Sequence, residues 1–149
     1  MANIGKWNAP RAVATVMSTE LNSLGSATMQ KSTTPYDNTT NLDIYVDIEV
    51  NLASLSPAAG AFVALYVGES VDGTNFPAQS GVDMRLTTTQ LLVSIPIGVT
   101  AATAQRVVVR NVVIPPAKFD VYLDNQAGVA LNASGNTVKF LAYDVNLNG

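Results

Sequence analysis

The sequence predicts an all-β fold: one β-sandwich domain, jelly-roll-like, with at most one short helix near residues 19–24. Three observations predict it. Residues 42–50, LDIYVDIEV, alternate apolar and polar side chains with a period of two, the pattern of a strand with one buried face. Seven to nine short segments of this kind recur, separated by turn residues, which is the spacing of sandwiches and jelly rolls. No internal repeat and no Ser/Gly linker divides the 149 residues, a length that suits a single domain.

Taken in order, the elements are these. ANIGKWNAP precedes the first strand, so residues 1–10 read as an N-terminal arm and 11–149 as the sandwich. PRAVATVMSTELNSLG places Val13, Met17, Leu21 and Leu24 at helical spacing with Gly25 as a stop. RAVATVM also suits a strand, and the favoured reading is a strand over 11–17. A helical turn over 19–24 follows, capped by Ser18 or Thr19. Residues 26–41 are polar and broken by Pro35, giving a strand fragment and loop. In 42–50, Leu42, Ile44, Val46, Ile48 and Val50 face inward, and Asp43, Tyr45, Asp47 and Glu49 face outward. GAFVALYVGES (60–70) is nearly all apolar, so it is a central strand covered on both sides, a near neighbour of 42–50 in the same or the other sheet.

Residues 78–90 read as loop, and LLVSIPI (91–97) as a short strand. AQRVVVRNVVI (104–114) is β-branched and is stopped by Pro115-Pro116, which cannot donate to a ladder. AKFDVYLDN (117–125) alternates again, with Phe119, Val121 and Leu123 inward and Asp120, Tyr122 and Asp124 outward. GVAL (128–131) is a short strand, ASGN (133–136) a turn and TVKFLAYDVNL (137–147) the last strand. Val138 and Phe140 share one face of it; Tyr143, Val145 and Leu147 share the other. A bulge near Leu141 accounts for that change of phase.

Composition excludes several functions. With no Cys and no His, neither a Ser-His or Cys-His nucleophile pair nor a thiolate or imidazole zinc site can form. The net charge is −3 and the eight basic residues are scattered, so no nucleic-acid footprint is present. The stretch 91–104 is too short and too interrupted, by Ser94 and Pro96, to span a bilayer. The N-terminus lacks the apolar core of a signal peptide. A soluble, unprocessed chain is expected, and the glycosylation patterns at Asn38 and Asn132 then carry no meaning. Charged residues make up 13 %, against about 25 % in an average domain, while Thr (14) and Asn (13) each outnumber the 11 acidic residues. A neutral, polar exterior follows, which suits close contact with other proteins because few charges must be desolvated.

The chemical candidates are few. Asp72-Gly73 in ESVDGTNFPA reads as a corner, since Gly tolerates positive φ and Asp bonds to nearby backbone. A calcium loop needs further carboxylates, and the next is Asp83. Asp43, Asp47 and Glu49 share one strand face. Positions i and i+2 lie about 6.5–7 Å apart, within the roughly 5–10 Å of a glycosidase pair, so a carboxylate hydrolase using Asp47 and Glu49 is the weakest of three readings. Tyr36, Tyr45, Tyr66, Tyr122 and Tyr143, with Trp7, could form a sugar-stacking platform; Tyr45 and Tyr122 sit at outward positions of separate strands, which equally suits a subunit contact. Trp7, beside Pro10 in the arm, either anchors a neighbouring subunit or folds back onto its own sandwich.

Several stretches together resemble small virion structural proteins of tailed bacteriophages. They are STELNSLGSA (18–27), NLDIYVDIEVNLASLSPAAGAFVALYV (41–67), SVDGTNFP (70–77) and IPPAKFDVYLDNQAGVALNASGNTVKF (114–140). Ser70, Asp72, Gly73, Thr74 and Asn75 match the family's S-x-D-G-T-N corner. Pro115, Pro116, Lys118 and Phe119 match its P-P-x-K-F strand, and Ala133 to Thr137 its A-S-G-N-T turn. These stretches make up about half of the chain and include no catalytic signature; residues 78–104 fall outside them. The resemblance implies a β-sandwich that forms part of the particle, without cofactor, metal or catalytic residue. The leading expectation is a capsid decoration or cement protein on the head surface, present in the host cytoplasm during assembly. It forms a homotrimer and bridges the major capsid protein through Trp7, Tyr45 and Tyr122. The alternative is a tail or fibre component that binds host surface glycans.

Overall fold

The computed structural model describes residues 6–77 and 89–146. The first five residues of the expected arm, residues 78–88 of the loop expected over 78–90, with Asp83, and Leu147 lie outside the described residues; Gln90 at the end of that loop already belongs to a strand. Eleven strands are present in this part: β1 (Lys6–Trp7), β2 (Ala14–Met17), β3 (Thr28–Lys31), β4 (Tyr36–Asp37), β5 (Tyr45–Leu55), β6 (Phe62–Ser70), β7 (Gln90–Pro96), β8 (Thr103–Val113), β9 (Lys118–Gln126), β10 (Thr137–Tyr143) and β11 (Val145–Asn146).

Two antiparallel sheets face each other. The first has the order β2-β10-β5-β8 and the second β3-β9-β6-β7, with β4 also on β9. Setting aside the two-residue strands, eight remain, and they pair first with last: β2 with β10, β3 with β9, β5 with β8 and β6 with β7. This nested pairing is that of a long antiparallel hairpin rolled into a sandwich, the jelly roll. β5 and β6 are consecutive in the chain but lie in opposite sheets.

The core lies between the sheets. Val46, Ile48, Val50 and Leu52 of β5 meet Val63, Leu65 and Val67 of β6, Phe119, Val121 and Leu123 of β9, and Val138 and Phe140 of β10. Every one of these is at most 2 % exposed. The alternation seen in the sequence is what allows it, because side chains two apart share a face.

Several expectations are corrected. The alternation of 42–50 does not reach its first three residues. Leu42 adopts φ 53 and the strand begins only at Tyr45, so Leu42 and Ile44 are exposed and Asp43 is buried. The helical turn is a 3-10 turn over Thr19–Leu21, and neither Ser18 nor Thr19 caps it through a side chain. Instead the Glu20 carboxylate accepts from the Ser18 N–H at 2.9 Å and from the Thr33 N–H at 3.1 Å. The strand expected over 11–17 is confined to Ala14–Met17. Residues 128–131 form no strand; Leu131 N–H donates singly to the Leu24 carbonyl.

Nor does β10 bulge at Leu141, since its register on β5 is unbroken from Thr137 to Tyr143. Val138, Phe140 and Ala142 all face the core, and Tyr143 on the opposite face is buried by other aromatic residues. The change of phase in the sequence reflects that second apolar contact. The irregularity on β10 lies on its β2 side, between Val138 and Lys139.

Candidate functional site

The outer face of the first sheet carries the most differentiated surface. Its geometry starts from a bulge. Val46 pairs with Val112 and Ile48 with Val109, so Asp47 alone faces two residues of β8, Arg110 and Asn111. The extra residue is accommodated at Asn111, whose φ is 57. Asn tolerates this left-handed conformation better than most residues do. The consequence is that Arg110 and Asn111 are both exposed on the outer face.

Asp47 holds this bulge. Its Oδ1 accepts from the Asn111 backbone N–H at 3.0 Å and from the Tyr143 hydroxyl at 2.8 Å. The Tyr143 hydroxyl also lies 2.7 Å from Asn111 Oδ1, but it has one proton, and the ionised carboxylate is the stronger acceptor. Burial, reinforced by the Asp47 carboxylate, raises the Tyr143 phenol above its ordinary value.

An aromatic shelf stands beside the bulge. Tyr45 and Tyr143, paired across β5 and β10, stack with centroids 6.0 Å apart. Trp7 meets both edge-on, at 5.8 Å and 5.3 Å. The arm is brought there by backbone bonds: Trp7 pairs with Val145, Asn8 N–H donates to the Asp144 carbonyl and Arg11 N–H to the Ala142 carbonyl. The Arg11 guanidinium, within 3.1 Å of both oxygens of the buried Asp43 carboxylate, fastens the end of the arm. Trp7 thus folds back onto its own sandwich, yet it remains 62 % exposed.

Of the three residues expected to meet partners, Trp7 and Tyr45 come together. Tyr122 does not join them. It lies on the second sheet and is fully buried, packed against Met29 and Tyr66, with Gly68 leaving room for its ring. Tyr122 therefore cannot touch a partner in this fold. Its neighbours Asp120 and Asp124 are buried as well, and Lys31 pairs with Asp120 at 3.2 Å. The sequence offers Tyr143 only as one of several aromatic residues and does not single out Arg110 and Asn111 as members of the site. One signal was available: Arg-Asn interrupts an otherwise unbroken β-branched run, VVVRNVV.

In the Asp47–Glu49 pair, Glu49 is engaged by two cations. Glu49 accepts from Arg106 Nε at 2.9 Å and from Lys139 at 3.4 Å. The Arg106 hydrogen bond, with help from Lys139, holds its carboxyl below the ordinary value, the opposite of what a proton donor near neutral pH needs. Among the described residues, no group of three or more acidic side chains could hold a metal ion.

Asp72-Gly73 is a structural corner. Asp72 Oδ1 accepts from the backbone N–H groups of Thr74 (2.9 Å) and Asn75 (2.7 Å) and from the Ser70 hydroxyl (3.1 Å), while Oδ2 accepts from the Asn75 amide at 2.6 Å. These bonds, those from Asn75 first, hold its carboxyl far below the ordinary range. Gly73 takes φ 76. Each residue of the S-x-D-G-T-N pattern is thereby used in closing one turn.

No helix among the described residues is long and apolar enough to cross a membrane. Set against models of known protein families and against curated proteins, the chain matches neither a family model nor a curated protein.

Proposed function

We propose that this chain is a non-enzymatic virion structural protein of a tailed bacteriophage. In this reading it decorates or cements the capsid, oligomerising as a trimer and bridging neighbouring major capsid subunits on the head surface. The observation that carries it is an exposed apolar end of the sandwich. Ile114 N–H donates to the Ile44 carbonyl at 3.0 Å next to the Tyr45–Val113 pair, so Ile44 and Val113 lie at the same end of the β5–β8 ladder, and Leu42 stands two residues earlier on the same segment. These three are 45, 61 and 53 % exposed. Val113 also borders a groove with Val67 and Leu92 that opens between the two sheets. Exposed apolar side chains gathered at one end of a fold suit a contact site, and covering them is favourable by about 25 cal/mol per Å².

The rest of the molecule supports a mechanical role. Buried side chains pin its corners: the Asn38 amide donates to the carbonyls of Asp43 and Pro115 and accepts from Asp43 N–H. Asn136 does the same between Ala53 and Asn132. A block fixed at its corners loses little conformational entropy on docking. Several copies around one axis then multiply weak contacts into slow dissociation.

The test is reconstitution on particles stripped of this protein. Wild-type chain is expected to return to the head lattice and restore resistance to heat. Ile44→Asp/Val113→Asp, folded by circular dichroism, is expected to bind at least about tenfold more weakly, the equivalent of 1.4 kcal/mol. Density on the tail alone, or equal occupancy by the variant, would overturn the reading.

A further inference from the structure

We propose that the cleft between Trp7 and the β8 bulge is a binding site for an acidic saccharide. The inference does not rest on the virion reading. The cleft has a volume of about 410 Å³ and is lined by Trp7, Pro10, Asp47, Arg110, Asn111 and Tyr143, among others. That is the lower part of the roughly 300–1,000 Å³ range of small-ligand sites, and a flat protein face would leave such a concavity unfilled.

Three features define the ligand. The first is the indole. Trp7 is braced on two sides by tyrosines at 5.3 and 5.8 Å and still exposes 62 % of its surface. A pyranose ring presents a face of C–H groups, which are apolar and slightly positive, and these pack on the electron-rich face of an indole. The bracing fixes the ring before any ligand arrives, so little order is lost on binding.

The second is Asp47. Its Oδ1 is taken by Tyr143 and Asn111, whereas Oδ2 has no partner among the described residues. A carboxylate oxygen only accepts, so the complementary ligand brings hydroxyl donors. The Asn111 side chain stands beside it, with Oδ1 2.7 Å from the Tyr143 hydroxyl and an amide N–H2 that can donate to a ligand hydroxyl.

The third is Arg110. The other two cations on this face, Arg106 and Lys139, are both committed to Glu49. Arg110, on the rim of the same cleft, forms no ion pair among the described residues. Its planar guanidinium matches a carboxylate through two parallel bonds. One molecule that supplies an apolar ring face, vicinal hydroxyls and a carboxylate together is a uronic or sialic acid unit of an oligosaccharide. An acidic peptide brings the carboxylate but sets it near Asp47 without the hydroxyls.

Trp7 is the single tryptophan of the chain, so intrinsic fluorescence reads the cleft directly. The full chain is titrated with oligogalacturonate, a hyaluronan tetramer and sialyllactose, with maltotriose and acetate as neutral and simple-anion controls. Isothermal calorimetry serves as a second readout. A saturable change with at least one acidic oligosaccharide is expected, weaker by at least about tenfold in Arg110→Ala, as befits loss of a charge-assisted pair. Asp47→Asn is expected to weaken it too, and Val99→Ala, at an exposed position outside the cleft, to leave it unchanged. Equal binding of maltotriose, reproduction of the effect by acetate, or no saturable binding by either method overturns the proposal.

Discussion

Asn125→Ala is the substitution for which the structure gives the fullest expectation. Asn125 is fully buried near the end of β9 and ties together three backbone segments. One proton of its amide is shared between the carbonyls of Leu24 (3.0 Å) and Gly25 (3.1 Å), the other goes to Val129 (2.9 Å), and its Oδ1 accepts from Ala127 N–H (3.0 Å). Alanine removes all of these contacts, but their loss is unequal. The Leu24 carbonyl still accepts from Leu131 N–H and the Gly25 carbonyl from the Thr28 hydroxyl. Ala127 N–H and the Val129 carbonyl lose the partner they have among the described residues. A buried group left unpaired costs about 1–3 kcal/mol. With Ala127 buried and Val129 only half-buried, the sum comes to about 3 kcal/mol. For a chain of this size that is a fall in Tm of roughly 6–12 °C, at about 2–4 °C per kcal/mol. Urea and thermal melts read both quantities. Asn132→Ala is the control: it removes one exposed bond, to Ser54 at 3.2 Å, and is expected to change stability by under about 0.5 kcal/mol. A loss below about 1 kcal/mol for Asn125→Ala refutes the reasoning, because the two orphaned groups would then have found water or each other.

Gly73 and Gly128 both take positive φ, 76 and 77, but a Cβ at Gly73 meets nothing within 4 Å, while one at Gly128 falls 2.5 Å from the Cβ of Ala58. Gly73→Ala is expected to cost only the left-handed strain, about 1 kcal/mol, and Gly128→Ala a further roughly 1–3 kcal/mol of overpacking; equal losses in urea melts would count against the packing described. Tyr122→Phe removes a buried hydroxyl without a hydrogen-bond partner among the described residues, so the variant is expected to be as stable as wild type or up to about 1 kcal/mol more so. Burial, with the charge of Asp120 adding to it, pushes the Tyr122 phenol up from 10 to about 12. A raised folded-state value means that this residue's contribution is present below pH 10 and lost as pH rises toward 12. Melts between pH 9 and 12 should therefore steepen less in the phenylalanine variant, and an unchanged alkaline limb contradicts this. For Glu20, burial alone raises the carboxyl, but hydrogen bonds from Ser18 and Thr33 outweigh it and the net shift is downward from 4.5. Its contribution is present above pH 4.5 and is lost as pH falls through the lower folded value; Glu20→Gln is expected to flatten that acid limb, as measured by Tm from pH 7 to 3.

Much of the fold was legible because strand faces are written with a period of two. Val46, Ile48 and Val50, then Phe119, Val121 and Leu123, could be assigned to the core from spacing alone. The corner at Asp72-Gly73 was legible for a similar reason: its chemistry is local, and all its hydrogen bonds lie within six residues. What failed was whatever depended on a distant segment. Asp43 reads as a solvated carboxylate until Arg11, 32 positions away, is seen to cover it. Residues 128–131 read as a strand, yet what holds them is one backbone bond, from Leu131 N–H to the Leu24 carbonyl, and the Asn125 amide on the Val129 carbonyl. Leu42 and Ile44 continue an alternation in the sequence that the backbone has already left at φ 53.

The exchange of Tyr122 for Tyr143 in the site shows where the limit lies. Period two places both tyrosines on the outer faces of their sheets, and it is right about both. It carries no information on whether an outer face is covered. Over β9 the chain supplies its own cover, with Met29 and Tyr66 packed on Tyr122, Pro77 against Gly68, and Lys31 on Asp120. Over β10, among the described residues, the cover is Trp7, held by a two-residue pair of strands and left mostly exposed. The two faces are therefore unequal as places for recognition. A partner on the second sheet would have to displace packed side chains and strip an ion pair. A partner on the first meets an indole, a bulge and a guanidinium that forms no ion pair among the described residues. That inequality, which follows from a short arm and one extra residue in β8, is why the first sheet is the face on which binding should be sought.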